Sequence, residues 1–215
     1  LDRFLATLSH ELRNPMAALL TAASMLRRIG GDSGDIADPC GVISRQATQI
    51  ATLLDDLLDV SRVTQNKIRL RREPTDLTLM SKEAIEAVGP MIANHQHAID
   101  LDITDQPLWA DVDRARMLQV LENLLTNAIK YTPDGGQIWL TLSRDASFGV
   151  VRVRDNGRGI APELLESIFD MFVQSDDTLD RSESGMGVGL TLVRSLVELH
   201  EGTIEAHSDG PDRGS

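Results

Sequence analysis

Three groups of residues in this chain of 215 have types and spacings that could do chemistry. The first is His10, in Ser9-His10-Glu11-Leu12-Arg13-Asn14-Pro15, with Glu11 beside it and Asn14 one helical turn on. An imidazole with a carboxylate at hand is a nucleophile with a proton acceptor. It is not the zinc motif H-E-x-x-H, because Asn14 stands where the second histidine is needed. The second group is Asn123, Asn127 and Lys130, which fall within about a 60° arc of one helix, opposite Leu118, Leu121, Leu125 and Ala128. Two amides and an ammonium on one face suit a hydrated Mg²⁺ and phosphate oxygens. The third is a pair of glycine turns. In Asp155-Asn156-Gly157-Arg158-Gly159 a strand ends in a carboxylate that can accept from an exocyclic amine, and the glycines let backbone approach a planar ring. In Gly185-Met186-Gly187-Val188-Gly189-Leu190 alternating glycines precede a helix, a cradle of free N–H groups that favours phosphate. Singly, each has an ordinary alternative: a solvated histidine, a solvated amide face, a plain Asn-Gly turn. The second turn is neither a P-loop nor a dinucleotide fingerprint, since it lacks Gly-Lys-Ser/Thr and Leu190 takes the last glycine position.

The elements that must position these groups follow from periodicity. Leu5, Leu12, Leu19 and Leu26 fall seven apart, with Leu8, Pro15, Ala22 and Ile29 three after each. That is an a/d seam, and His10 occupies an f position, turned away from it. The helix stops at Gly30-Gly31, and a second apolar series follows at Ile43, Ile50 and Leu57, with Leu53 and Val60 three after. Ala47 and Leu54 widen the stripe. Two helices cannot bury such wide stripes alone, so the hairpin is expected to dimerise into a four-helix bundle. From about Lys67 the pattern changes. Ile68–Arg71 alternates as a strand, Leu77–Ala93 reads as a helix, and strands are predicted at Ile99–Ile103 and Leu108–Val112. A helix over Asp113–Tyr131, a hairpin of Ile138–Ser143 and Val150–Arg154, a helix after Pro162, a helix over Val188–Leu199 and a strand at Thr203–His207 complete the series. Gln174–Ser184 is polar and loop-like, a candidate lid. The expected fold is α+β: residues 1–66 form the hairpin, and residues 67–215 an α/β sandwich with a mixed sheet, joined at a hinge.

The formal net charge of -12 argues against a nucleic-acid binder and requires any anionic ligand to be held by local donors and a metal. One cysteine, Cys40, excludes an internal disulfide and fits a reducing, cytoplasmic compartment. No apolar run is long enough to cross a bilayer, so no membrane contact is expected within this stretch. The start at Leu1, inside a helix, reads as a fragment of a longer protein.

Together the groups carry a resemblance over nearly the whole chain. Phe4–Pro15 resembles the H-box of sensor histidine kinases, Asn123–Thr132 the N-box, Asp155–Gly159 the first glycine box and Gly185–Leu190 the second. Ile168-Phe169-Asp170-Met171-Phe172 resembles the aromatic box, with Met171 where proline is common. The chain is thus similar to a histidine kinase catalytic core: a dimerisation and phosphotransfer hairpin, then an ATP-binding domain of the gyrase–Hsp90–histidine kinase–MutL superfamily. The resemblance implies that His10 attacks the γ-phosphate of ATP, that Glu11 takes its proton or orients its ring, and that Asn14 orients water for dephosphorylation of a response regulator. It implies that Asn127 and Asn123 hold Mg²⁺, Lys130 neutralises phosphate charge, Tyr131 packs near base or ribose, and Asp155 reads the adenine amine. Gly157, Gly159, Gly185, Gly187 and Gly189 would line the pocket, and the phosphoryl group would pass to an Asp of the regulator. Family members usually continue past Gly214-Ser215 into a further strand; the expectation is either that this strand is cut off or disordered, or that a neighbouring element covers the edge.

Other candidates read as structural. His95-Gln96-His97 fits a turn before a strand better than a metal site, and Trp109 and Trp139 fit packing. An imidazolium at His200 would suit a helix end. Rival functions are an ATPase that clamps its dimer, for which a solvated nucleophile has no use, and a nucleotide-binding dimeric scaffold without turnover.

Overall fold

In a computed structural model of the chain, the described residues are 69–104, 106–170, 173 and 189–215, with helical positions 19–21, 23, 24, 26, 41, 43, 47, 50 and 51 before them. The chain divides into two compact units, Leu1–Ile68 and Arg69–Ser215. In the first, Ala23 and Ala47 are buried, whereas Leu19, Leu26, Ile43 and Ile50 are exposed.

The second unit begins with strand β1 (Glu73–Asp76), followed by helix α1 (Leu77–Asn94), strands β2 (Ala98–Ile103) and β3 (Trp109–Val112), and helix α2 (Arg114–Tyr131). Strands β4 (Gln137–Asp145) and β5 (Phe148–Asp155), a single-turn helix α3 (Pro162–Leu165) and helix α4 (Gly189–Leu199) follow. β1 pairs antiparallel with β3. In the second sheet, of order β2-β4-β5, β2 is parallel and β5 antiparallel to β4, so it is mixed.

Both long helices start at an aspartate whose carboxylate accepts from the first turn. Asp76 accepts from the Thr78 N–H at 2.9 Å, and Asp113 from the Arg116 N–H at 3.2 Å. Leu77, Met80, Ala84, Val88 and Ile92 recur at helical spacing along the buried face of α1. They meet Leu121, Leu125, Ala128 and Ile129 of α2 and Ile138 and Leu142 of β4. β4 alternates strictly: Ile138, Leu140 and Leu142 are buried, and Trp139 and Thr141 lie on the other face. Leu192, Val193 and Leu196 of α4 are fully buried.

Three expectations need correction. Residues 69–72 form no strand; the strand is Glu73–Asp76. The ladder stops at Glu73↔Val112 because the next residue, Asp113, turns away to cap α2, and its carboxylate instead accepts from the Arg71 N–H. Thr203–His207 keeps the burial alternation of a strand but has no ladder partner among the described residues and forms none. Trp109 is 66% exposed rather than packed, because Ala110 and Val112 take the inward positions of β3. Trp139 is half-buried, with the Arg154 guanidinium 5.1 Å from its ring centroid.

Candidate functional site

The floor of the site is the end of β5. Asp155 is buried, and each of its carboxylate oxygens is engaged: Oδ1 accepts from the Gly157 N–H at 2.8 Å, and Oδ2 from the Ser215 hydroxyl at 2.5 Å. The Asp155 N–H donates to the Ser215 carbonyl at 2.9 Å. A carboxylate oxygen has two lone pairs, so both retain capacity for another donor. The oxygens are therefore oriented before any ligand arrives, as recognition of an exocyclic amine requires.

The glycine turn beyond Asp155 is shaped by its neighbours. A Cβ at Gly157 would stand 2.3 Å from the carbonyl oxygen of Tyr131, and Arg158 donates to that same oxygen at 3.0 Å. Gly159 has φ +64°, and a Cβ there would stand 2.2 Å from the carbonyl oxygen of Gly210. These glycines thus let the turn seat against the last turn of α2 and the segment 208–215. Ser208 fastens the arrangement, accepting from the Ile160 N–H at 2.9 Å and donating to the Gly214 carbonyl at 2.6 Å.

One wall is α2. Its buried side carries Leu121, Leu125 and Ala128, as its spacing predicts, while Asn123, Asn127 and Lys130 are half-buried on the other side. Lys130 Nζ sits 4.9 Å from the centre of the Tyr131 ring, which is itself exposed. α4 meets α2 at this face: a Cβ at Gly189 would come within 3.4 Å of Asn123 Oδ1. The first residue of α4 is thus beside the amide face, and the helix N-terminus brings its unpaired N–H groups with it. His10, Glu11, Asn14, Gly185 and Gly187 lie outside the described residues, as do Cys40, Leu54–Leu57, Met171, Phe172 and residues 174–184.

Sequence reading missed Ser215 and Ser208. Nothing local marks them, since each acts on a loop some 50 to 60 positions away. It also assigned His200 an imidazolium. Its Nδ1 is 2.8 Å from the Leu196 carbonyl and its Nε2 accepts from the Asp113 N–H at 2.9 Å, which requires the neutral ring. His95 and His97 stack at 5.5 Å, and His95 Nδ1 lies 2.8 Å from Asp134 Oδ1. Among the described residues no group of three or more His, Cys, Asp or Glu side chains is placed to hold a metal ion, and Gln96 makes the turn at φ +55°.

Asp113 is electrostatically tuned. Burial pushes its carboxyl up, but the N–H groups of Arg71 and Arg116, with the charge of Arg116, outweigh this and hold it below the usual carboxylate range.

Helices over one face of a mixed sheet, with a buried aspartate and glycine turn at a strand end beside an amide-bearing helix, define an ATP-binding sandwich. Comparison with known families agrees: residues 112–215 match "Histidine kinase-, DNA gyrase B-, and HSP90-like ATPase", and residues 1–66 match "His Kinase A (phospho-acceptor) domain". The chain belongs to the histidine kinase family and carries its catalytic core, the phospho-acceptor part preceding the ATPase part. It is 34% identical over 207 residues to the probable sensor histidine kinase TcrY of Mycobacterium tuberculosis, covering 96% of this chain and 43% of that protein. It is 33% identical over 216 residues to the autoinducer 2 sensor kinase/phosphatase LuxQ of Vibrio vulnificus, covering 96% of this chain and 25% of LuxQ. The structure of full-length ShkA in complex with AMPPNP superposes with a TM-score of 0.72 at 27% identity, over 92% of this chain and 41% of that one. The chain thus spans less than half the length of these relatives. Among the described residues, no helix is long and apolar enough to cross a membrane.

Proposed function

We propose that this chain is the core of a two-component sensor histidine kinase that phosphorylates His10 with ATP and passes the phosphoryl group to an aspartate of a response regulator. The observation that carries the ATP half is the buried Asp155, its oxygens aligned by Gly157 and Ser215 and still able to accept an adenine amine. That ShkA was captured with AMPPNP supports a nucleotide at this fold. Asn123 and Asn127 would hold a Mg²⁺ ion, whose charge would offset that of the phosphates. The fit rests on their shared face and on Gly189, whose missing Cβ leaves Asn123 Oδ1 open. Lys130 adds a positive charge to that side, and Gly185 and Gly187 extend the glycine turn that ends at Gly189.

For the transfer, a ring nitrogen of His10 forms an N–P bond with the γ-phosphorus, the bond from that phosphorus to the bridging oxygen breaks, and ADP leaves. Glu11 takes the displaced imidazole proton. Asn14, one turn on, would orient a water that dephosphorylates the regulator, a reading supported by the kinase/phosphatase description of LuxQ. Dimerisation is supported by Leu19, Leu26, Ile43 and Ile50, seam positions that are 39 to 50% exposed in the single chain and would be covered by a second copy. We assign the activity to the cytoplasm, where ATP and a receiver domain are available.

Incubation with γ-labelled ATP and Mg²⁺ tests this reading. It predicts an acid-labile, alkali-stable label on the chain that is lost in His10→Gln. Label from α-labelled ATP, or label that survives the substitution, would overturn it.

A further inference from the structure

His200 joins the end of α4 to the N-cap of α2, 87 positions away. Its Nδ1 lies 2.8 Å from the Leu196 carbonyl oxygen, which can only accept, and its Nε2 lies 2.9 Å from the Asp113 backbone nitrogen, which can only donate. The ring between them is therefore neutral, with its hydrogen on Nδ1. Asp113 is the N-cap of α2, and its carboxylate also accepts from the Arg71 N–H at 2.9 Å. Arg72 reaches the end of α4, donating to the Leu199 carbonyl at 2.8 Å and to Glu201 Oε1 at 3.1 Å. One imidazole thus latches the first turn of α2 to the last turn of α4, where the chain enters this unit.

The other end of the same helix pair lies at the nucleotide site, where Gly189 of α4 meets Asn123 of α2. The helices run antiparallel, and the 11 residues of α4 put about 15 Å between its ends. A packed helix with Leu192, Val193 and Leu196 fully buried moves as a body, so the latch at one end fixes the opening at the other.

We propose that neutral His200 is a positioning residue for ATP: it holds the Gly189 end of α4 against the Asn123 face of α2. This rests on the reading of the site as an ATP pocket. The charged groups around the ring are the Asp113 carboxylate and Arg116 of α2, Arg71 and Arg72 of the incoming segment, and Glu201 beside it. The Asp113 oxygens are held by the N–H groups of Arg71 and Arg116, so the ring meets the Asp113 N–H instead. A proton on Nε2 would set N–H against N–H, and that bond is lost.

The test is titration of the full chain with a fluorescent ATP analogue and Mg²⁺ at pH 8, alongside His200→Gln and His200→Leu. Glutamine can make both bonds. His200→Gln should match the parent, and His200→Leu should bind about five-fold more weakly, the effect of one hydrogen bond on a binding equilibrium. A leucine variant that binds like the parent, or a glutamine variant as weak as the leucine one, would overturn the latch while leaving the ATP reading intact. A parent that binds no nucleotide would overturn both. Long-range ¹H–¹⁵N NMR of the parent decides without any variant: Nδ1–H is expected at neutral pH, and an Nε2–H tautomer or an imidazolium would refute the proposal.

Discussion

At Asp155 the structure shows a carboxylate fixed in advance. Both oxygens are held by donors from elsewhere, so in the proposed role a base amine would meet an aligned acceptor with little side-chain entropy left to lose. Asp155→Asn removes the charge and replaces one accepting oxygen by an NH₂ group that can only donate. Fluorescence titration should show nucleotide affinity reduced more than ten-fold, since a charged hydrogen bond contributes about 1.5–3 kcal/mol; unchanged affinity would remove Asp155 from the site. A different residue carries backbone strain. Ala146, in the two-residue turn between β4 and β5, has φ +50°, a region costly for any residue with a Cβ. Ala146→Gly should raise stability by about 0.5–1 kcal/mol in urea unfolding, without changing ATP binding. The placement of the candidate residues was legible here from type and spacing: Asp155 at a strand end before a glycine turn, Asn123 and Asn127 a turn apart on the outer side of α2. Ser215 was not, since its meaning depends on a contact with a residue 60 positions away.

Among the elements, α2 does most to position the site. One face supplies the core through Leu121, Leu125 and Ala128, another presents Asn123 and Asn127, and its last carbonyl sets the course of the glycine turn. The 3.6-residue period exposed these faces in the sequence, and the mixed sheet followed from strands that alternate. The strand expected at Ile68–Arg71 failed because alternation does not specify a partner: β3 ends where Asp113 must cap a helix. Thr203–His207 failed for the same reason, with its alternation intact. Asp113 makes an element-scale prediction. Its carboxyl is held below the usual range, so its contribution is present above the unfolded value near pH 4 and is lost as pH falls through the folded value. Asp113→Ala should cost about 1–2 kcal/mol at pH 7, with a smaller deficit at pH 3 by urea midpoints. An equal deficit at both values would show that charge plays no part.

For the whole molecule, the proposed reaction divides the labour between its parts. The described residues from Arg69 onward include the candidate nucleotide groups and no candidate nucleophile, and the proposed nucleophile, His10, belongs to the heptad repeat of the preceding sequence. Phosphoryl transfer must therefore bring the γ-phosphate to an outward imidazole, and the same face must later be free for a regulator. That outward position is an expectation from the seven-residue phase of Leu5, Leu12, Leu19 and Leu26. The central claim is that this histidine takes the phosphoryl group from ATP. Peptide mapping by mass spectrometry at neutral to alkaline pH, after incubation with ATP and Mg²⁺, tests it most directly. The account predicts one phosphoryl group on the peptide containing His10, absent when Asp155 is replaced by Asn; phosphate on any other residue, or none in a chain that binds ATP, would contradict it.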